Sequence, residues 1–130
     1  MTYLKYAPRR QAQERAHRSS AEWTPPVDIV EREDVYTLEF DLPGFERDDL
    51  DVSVKDGVLT VTGERKFSRP ADEETNFFRF YERAGGTFTR SFNLPKQVDA
   101  ENIAAQYKNG VLSLTLAKRE EAKPYSVTIK

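Results

Sequence analysis

The chain has 130 residues, of which 38% are hydrophobic and 32% are charged, and its formal net charge is −2. This length suits one domain with tails, and the low apolar share predicts a small core under a well-solvated surface. The sequence contains no cysteine, which excludes disulfide bonds and thiolate metal sites.

The first 26 residues are predicted to form a flexible N-terminal extension. They carry five basic residues against two glutamates, a charge of +3 that leaves −5 for the rest of the chain. Tyr3, Leu4 and Tyr6 make a short apolar cluster, but the helix formers in residues 9–22 lack the apolar stripe that docks a helix on a core. The prolines at positions 25 and 26 end the segment, because proline does not continue a helix.

Targeting signals are missing from the sequence. Residues 1–20 lack the apolar region of a signal peptide, and no apolar run is long enough to span a bilayer. The acidic body argues against nucleic acid as the main partner. We therefore expect a cytoplasmic protein with neither a membrane nor a nucleic-acid partner.

From Val27 onward, apolar and polar residues alternate with period two, which predicts half-buried strands. Asp56-Gly57 and Asn109-Gly110 indicate short hairpins, because primed turns need positive φ angles. About seven short strands with frequent turns predict an all-β body, either an antiparallel sandwich or a barrel. The clearest alternating runs are residues 36–40, 50–54, 88–94 and 112–116.

Two segments depart from this pattern. Residues 67–76 are polar and lead into an aromatic run at residues 77–81, a long excursion that fits either a flap over its own core or a strand lent to another subunit. After the charged residues 118–123, Val127 and Ile129 point the same way in an extended segment. They fit either a last strand on their own domain or a peptide that adds to a sheet edge elsewhere.

The sequence offers no grouping of residues for catalysis. His17, the single histidine, lies in the N-terminal extension, far from a second metal ligand. Gly85-Gly86 lacks the spacing of a phosphate-binding loop. The acidic clusters at residues 48–51 and 72–74 lack the glycine and distal glutamate of a calcium loop. We therefore predict that the protein is not an enzyme and uses no cofactor or metal.

Several motifs resemble those of small heat-shock proteins. Residues 105–112 reproduce the A-x-x-x-N-G-V-L signature of the α-crystallin domain in that family. Residues 79–95 resemble the bacterial and plant form of the block around the family's exchanged strand. Residues 127–129 are similar to its C-terminal I/V-x-I/V motif, with valine where isoleucine is more usual. The matching segments of earlier strands are residues 41–44 and 57–60.

The resemblance implies an immunoglobulin-like antiparallel β-sandwich, the α-crystallin domain, over residues 27–118. Residues 1–26 and 119–130 are then flexible extensions, of which the first is short for the family and the second carries the Val-x-Ile motif. The sandwich is expected to dimerise by exchanging the strand that precedes Gly85. The residues expected at this dimer interface are Phe78, Arg79, Phe80, Tyr81, Glu82, Arg83 and Arg90.

The resemblance also implies that the tail motif, Val127 and Ile129, docks in a groove between edge strands of a neighbouring dimer. This groove is expected to be lined by Leu50, Val52 and Val54 on one strand and by Leu112, Leu114 and Leu116 on the other. The residues expected to contact client proteins are Tyr3, Leu4, Tyr6 and Trp23, together with the groove when it is vacated.

The family implies an ATP-independent molecular chaperone, a holdase that binds unfolding proteins and prevents their aggregation as a homo-oligomer of strand-swapped dimers. Its partners are then further copies of itself and unfolding client proteins. Three other classes are considered: a monomeric co-chaperone or adaptor module with a dedicated partner, a ligand-binding sandwich, for instance for sugars, and an enzyme, which the missing catalytic groups disfavour. The aromatic excursion and the tail motif argue against the first, and the position of Trp23 in the N-terminal extension argues against the second.

Overall fold

The described part of the chain folds as seven β-strands. A computed structural model describes residues 23–67, 69 and 78–130, and these residues contain no α-helix. Arg47–Asp49 and Glu120–Ala122 each form a short 3-10 helix. The all-β prediction is confirmed. The strands are β1 (Val27–Glu31), β2 (Val35–Asp41), β3 (Leu50–Lys55), β4 (Val58–Glu64), β5 (Thr87–Asn93), β6 (Val98–Lys108) and β7 (Val111–Lys118).

The strands form two sheets. The four-stranded sheet has the order β1-β2-β7-β6, and the three-stranded sheet has the order β3-β4-β5. Every neighbouring pair is antiparallel. Strands β1 and β6 are therefore the edges of the larger sheet, and β3 and β5 are the edges of the smaller one. This arrangement confirms the antiparallel sandwich.

Alternation in the sequence places one face of each sheet in the core. Along β2, Tyr36, Leu38 and Phe40 are buried, whereas the residues between them are half-buried or exposed. Successive side chains of a strand point to opposite faces, so β2 gives every second residue to the interior. The core consists of Tyr36, Leu38, Phe40, Leu42, Phe45, Leu59, Val61, Phe88, Val98, Leu112, Leu114 and Leu116.

Two contacts define how the sheets are stacked. The ring of Phe40 on β2 meets the ring of Phe92 on β5 edge-on, with 5.9 Å between centroids. The hydroxyl of Tyr107 on β6 donates to the carbonyl oxygens of Leu42 and Phe45, at 2.6 and 3.0 Å, in the connection that leads to β3. Strand β5 therefore lies over the β1–β2 side of the larger sheet, and β3 lies on the same side of the sandwich as β6.

The two predicted hairpin turns have the expected backbone conformation. Asp56 and Gly57 have φ angles of 52° and 75°, and Asn109 and Gly110 have φ angles of 54° and 76°. Both central residues of each turn are thus left-handed, as a type I′ turn requires. These turns join β3 to β4 and β6 to β7.

Gly63 on β4 is required for close packing of the core. A Cβ atom at this position would lie 2.5 Å from Cε1 of Phe88 and 2.8 Å from Cδ2 of Leu50. We expect Gly63→Ala to lower the free energy of unfolding by about 1–3 kcal/mol, the usual cost of overpacking a core. In the control Gly86→Ala, the new Cβ meets a backbone oxygen at 3.4 Å, and the change should stay within about 0.5 kcal/mol. Urea denaturation measures both, and equal stability of the two variants would contradict this packing.

Candidate functional site

The segment before β5 presents aromatic side chains to solvent. Residues 78–86 form no strand within the single chain. Phe78, Phe80 and Tyr81 are exposed by 62, 40 and 39%, and the rings of Phe78 and Phe80 stack with 6.3 Å between centroids. Exposed apolar groups in such a cluster mark an interaction surface. They do not fill their own core, which argues against the flap interpretation. We call residues 78–83 the aromatic excursion.

The outer edge of β1 is a second surface with apolar groups. Strand β1 pairs with β2 on one side, and as the end of its sheet it has no neighbour on the other side among the described strands. Ile29 and Val30 on this strand are exposed by 53 and 44%. An unpaired edge offers backbone N–H and C=O groups to an added strand.

Arg90 on β5 contacts the segment that leads into β1. Its side chain is half-buried and donates a hydrogen bond from Nη1 to the carbonyl oxygen of Pro25 at 2.9 Å. The guanidinium also lies 5.2 Å from the ring centroid of Phe92. Arg90 thus fastens the segment just before β1 to the smaller sheet. Its expected role at a dimer interface stays a prediction.

The opposite side of the sandwich also ends in two strand edges, β3 and β6. Leu50 and Val52 on β3 are half-buried against the core, and Val54 is exposed by 36%. Ile103 and Tyr107 on β6 are likewise half-buried against the core. The two edges therefore border an apolar strip whose side chains are incompletely covered by their own domain.

The predicted groove is wrong in its second wall. Leu112, Leu114 and Leu116 belong to β7, an interior strand of the larger sheet, and they are exposed by 3, 0 and 2%. Side chains this deeply buried fill the core and are not accessible to a docking peptide. The strand that faces β3 at the edge is β6, because β7 is covered by β6 on that side.

The C-terminal tail does not pack on its own domain. Val127 and Ile129 are exposed by 76 and 95%, and neither belongs to a strand. Tyr125 is exposed by 84%. Of the two interpretations left open by the sequence, the tail is therefore not a last strand of its own sandwich.

Trp23, a predicted client contact, packs against the domain, and its role in client binding stays a prediction. Its ring is half-buried, stacks on Phe45 with 5.8 Å between centroids, and meets Phe88 edge-on at 5.8 Å. Pro25 is buried as well. The packed body therefore extends to Trp23, four residues before the predicted boundary. The other predicted client contacts, Tyr3, Leu4 and Tyr6, lie outside the described residues.

The grouping of ionisable side chains was compared with the needs of a metal site. Within residues 23–67, 69 and 78–130, no three His, Cys, Asp or Glu side chains are grouped so as to hold a metal ion. Over the same residues, no helix has the length and apolar character needed to cross a membrane. The pKa of Glu31 lies below its usual value, because the Tyr36 hydroxyl and the Lys118 ammonium group hydrogen-bond its carboxylate. This cluster links β1, β2 and β7.

The fold and these surfaces define an antiparallel β-sandwich with open strand edges, an exposed aromatic excursion and an exposed apolar tail. The sequence profile of the Hsp20/alpha crystallin family matches residues 28–130, and the chain belongs to this family.

Curated relatives and solved structures agree with this assignment. The chain is 38% identical over 107 residues to spore protein SP21 of Stigmatella aurantiaca and 35% identical over 106 residues to small heat shock protein C4 of Rickettsia felis. Each match covers 82% of this chain but 62% and 64% of the relatives. A small heat-shock protein from Xylella fastidiosa superimposes with a TM-score of 0.69 at 37% identity, covering 85% of this chain and 99% of that one. Heat shock protein 16.0 from Schizosaccharomyces pombe gives 0.67 at 32% identity, covering 83% and 99%.

Proposed function

We propose that this protein is an ATP-independent chaperone, a cytoplasmic holdase that binds unfolding proteins and prevents their aggregation. The observation that carries the proposal is the exposure of apolar side chains at two separate places, the aromatic excursion and the C-terminal tail. A chaperone role is supported by relatives that are small heat shock proteins. The protein works as a homo-oligomer built from strand-swapped dimers.

The dimer forms when the aromatic excursion of each subunit adds to the outer edge of β1 in its partner. An extended segment added to a sheet edge gains backbone hydrogen bonds, and its side chains find apolar neighbours on the strand it joins. Ile29 and Val30 on β1 supply such neighbours. A two-fold dimer uses each surface twice, so every subunit gives one strand and receives one. Arg90, beside β1, steadies the receiving edge.

The dimers assemble further when the tail docks on the apolar strip between β3 and β6. Val127 and Ile129 are two residues apart, so in an extended tail they enter the strip on the same side. In this proposal, Leu50, Val52 and Val54 form one wall. Ile103 and Tyr107 of β6 form the other wall, in place of the three leucines of β7.

Client binding uses the same apolar surfaces when the oligomer loosens. A tail that leaves its strip uncovers apolar groups at the moment when an unfolding protein exposes its own. Association buries both, and apolar burial makes few geometric demands, which suits many different clients. The net charge of −5 outside the first 26 residues keeps the complex in solution. No step in this cycle consumes a nucleotide.

Aggregation assays test the proposal. At an equimolar or lower ratio to a heat-labile client, the protein is expected to suppress light scattering in the absence of nucleotide, and Mg-ATP should not increase the effect. An equal mass of a folded protein without chaperone activity is the control.

Failure to protect several unrelated clients would contradict a holdase. Protection of one protein alone, by a chain that stays monomeric, would favour the adaptor module instead.

A further inference from the structure

Three arginine side chains surround one aromatic ring at the base of the excursion. The guanidinium carbons of Arg65, Arg69 and Arg83 lie 4.7, 4.2 and 4.9 Å from the ring centroid of Phe67. We call these three residues the arginine cluster. Arg65 comes directly after β4, whereas Arg83 lies shortly before β5. The cluster therefore joins the two ends of the long connection between these strands.

Among the described residues, no carboxylate forms an ion pair with the arginine cluster. The pKa of the Arg65 guanidinium is lowered, first by burial and then by the charges of Arg83 and Arg69. Three guanidinium groups this close together favour the binding of an anion beside them.

The members of the cluster differ in how many donors they have left. Arg65 is exposed by 6% and donates to the carbonyl oxygens of Pro43 at 3.1 Å and Ala84 at 2.8 Å. Its buried Nε–H has no acceptor in the described part of the chain. Arg69 and Arg83 are exposed. Arg69 donates from Nη2 to the carbonyl oxygen of Arg83 at 3.2 Å, which brings the two residues together. Each guanidinium has five N–H donors, and among the described residues the exposed pair uses one of these ten, on Nη2 of Arg69.

We propose that Arg69 and Arg83 form a binding site for a phosphate-class oxyanion. Phe67 and the buried Arg65 lie beside them. Two planar guanidinium groups offer parallel pairs of N–H donors, which match the oxygens of a phosphate group. The guanidinium carbons of both residues lie within 5 Å of the Phe67 ring centroid, at 4.2 and 4.9 Å, and the buried Arg65 adds positive charge beside them. Free phosphate and the phosphate units of a polyphosphate chain share this chemistry.

A bound anion would also fasten the base of the excursion. Arg65 already links the two ends of the connection between β4 and β5. Its side chain donates to the carbonyl oxygen of Ala84, and its backbone N–H donates to the carbonyl oxygen of Gly86. An oxyanion held by Arg69 and Arg83 adds a further link between the same two ends of the connection. If the excursion is exchanged between subunits as proposed above, the anion stabilises the dimer. This consequence depends on the proposed function, whereas anion binding itself does not.

Titration of the purified chain with inorganic phosphate and, separately, with tripolyphosphate tests the site. Ionic strength is held constant with sodium chloride, and no nucleotide or client is present. Isothermal calorimetry measures binding. Trp23 reports the place of binding, since it is the only tryptophan and its ring centroid lies 4.8 Å from the Arg65 guanidinium. We expect saturable binding, a matching change in tryptophan emission, and a rise in the thermal midpoint.

Two charge-matched variants make the test specific. Arg69→Ala/Arg83→Ala should weaken binding by about tenfold or more, because charge-assisted hydrogen bonds are the strong ones. Arg47→Ala/Lys96→Ala removes the same charge from exposed positions elsewhere and should alter affinity by less than about twofold, as expected for screened surface charges. Arg69→Lys/Arg83→Lys keeps the charge but loses the paired donors, so its affinity should lie between these two.

Each result decides the proposal. Binding of inorganic phosphate supports a site for the free ion, and binding of tripolyphosphate alone supports polyphosphate as the source. The proposal is overturned if neither anion binds, if chloride reproduces the emission change, or if the two alanine variants lose affinity equally. Because calorimetry is done without clients, these outcomes do not depend on chaperone activity.

Discussion

A Phe78→Ser/Phe80→Ser variant is expected to be a folded monomer under conditions in which the parent chain is a dimer or larger. Both rings are exposed in the single chain, by 62 and 40%, so their loss should leave the sandwich intact. In the proposed dimer the rings become buried against the β1 edge of the partner. The two-fold dimer contains four of these rings, and aromatic anchors at an interface are typically worth about 2 kcal/mol or more each, so the loss of about 8 kcal/mol should raise the dimer dissociation constant by roughly 10⁵-fold or more. Sedimentation velocity measures this change, and circular dichroism verifies the fold.

A matched control separates the interface from general surface hydrophobicity. Tyr125→Ser also removes an aromatic ring, one that is exposed by 84% in the tail and outside the proposed dimer interface. It should leave the dimer unchanged. A dimer that survives the double serine substitution with its affinity intact would mean that the excursion is not the exchanged strand.

Val127→Ala/Ile129→Ala is expected to reduce the large oligomer to dimers. The two substitutions remove five carbon atoms from each docked tail, worth about 4 kcal/mol of apolar burial at about 0.8 kcal/mol per methylene. This corresponds to roughly a thousandfold weaker docking of every tail. The exposure of both side chains in the single chain, 76 and 95%, indicates that folding of the domain does not depend on them. Size-exclusion chromatography with light scattering measures the mass of each species.

A substitution that enlarges the tail motif is the control, because it should strengthen tail docking. Val127→Ile adds one methylene to the tail, which should strengthen docking by about 0.8 kcal/mol and shift the oligomer to lower protein concentrations. An oligomer whose mass and concentration dependence are the same in all three chains would exclude the tail as an assembly element.

The fold was predictable because its signals are local. Alternating residues such as Tyr36, Leu38 and Phe40 indicate a strand and its buried face, since successive side chains point in opposite directions. The Asp56-Gly57 and Asn109-Gly110 turns were predictable for a similar reason, because few other pairs accept two left-handed residues in succession.

The groove was harder to predict because periodicity does not reveal which strands become neighbours. Leu112, Leu114 and Leu116 alternate clearly, but that alternation reflects their place in the core. The strand that lies at the edge, β6, has a weaker pattern, with a register shift between Val98 and Ile103. The sequence of β6 therefore gives little indication of a strand. The more regular β7 is the strand that a sequence pattern places at the second wall of the groove.

The packing of Trp23 and the arginine cluster were not predictable from the sequence, because both depend on contacts between residues that are distant in the chain. Trp23 sits in a segment that reads as an extension, yet it stacks on Phe45 and lies over the Arg65 guanidinium. No spacing in the sequence connects these residues. The arginine cluster likewise depends on the way in which the two ends of the connection from β4 to β5 meet in space, which a sequence pattern does not encode.

The mass of the intact chain in solution, measured by light scattering after size exclusion over a hundredfold range of protein concentration, tests the central claim most directly. A self-assembling holdase is expected to elute as an oligomer of many subunits that dissociates toward dimers on dilution. A monomer at every concentration would contradict the account, because the aromatic excursion and the tail would then have no partner copy to bind.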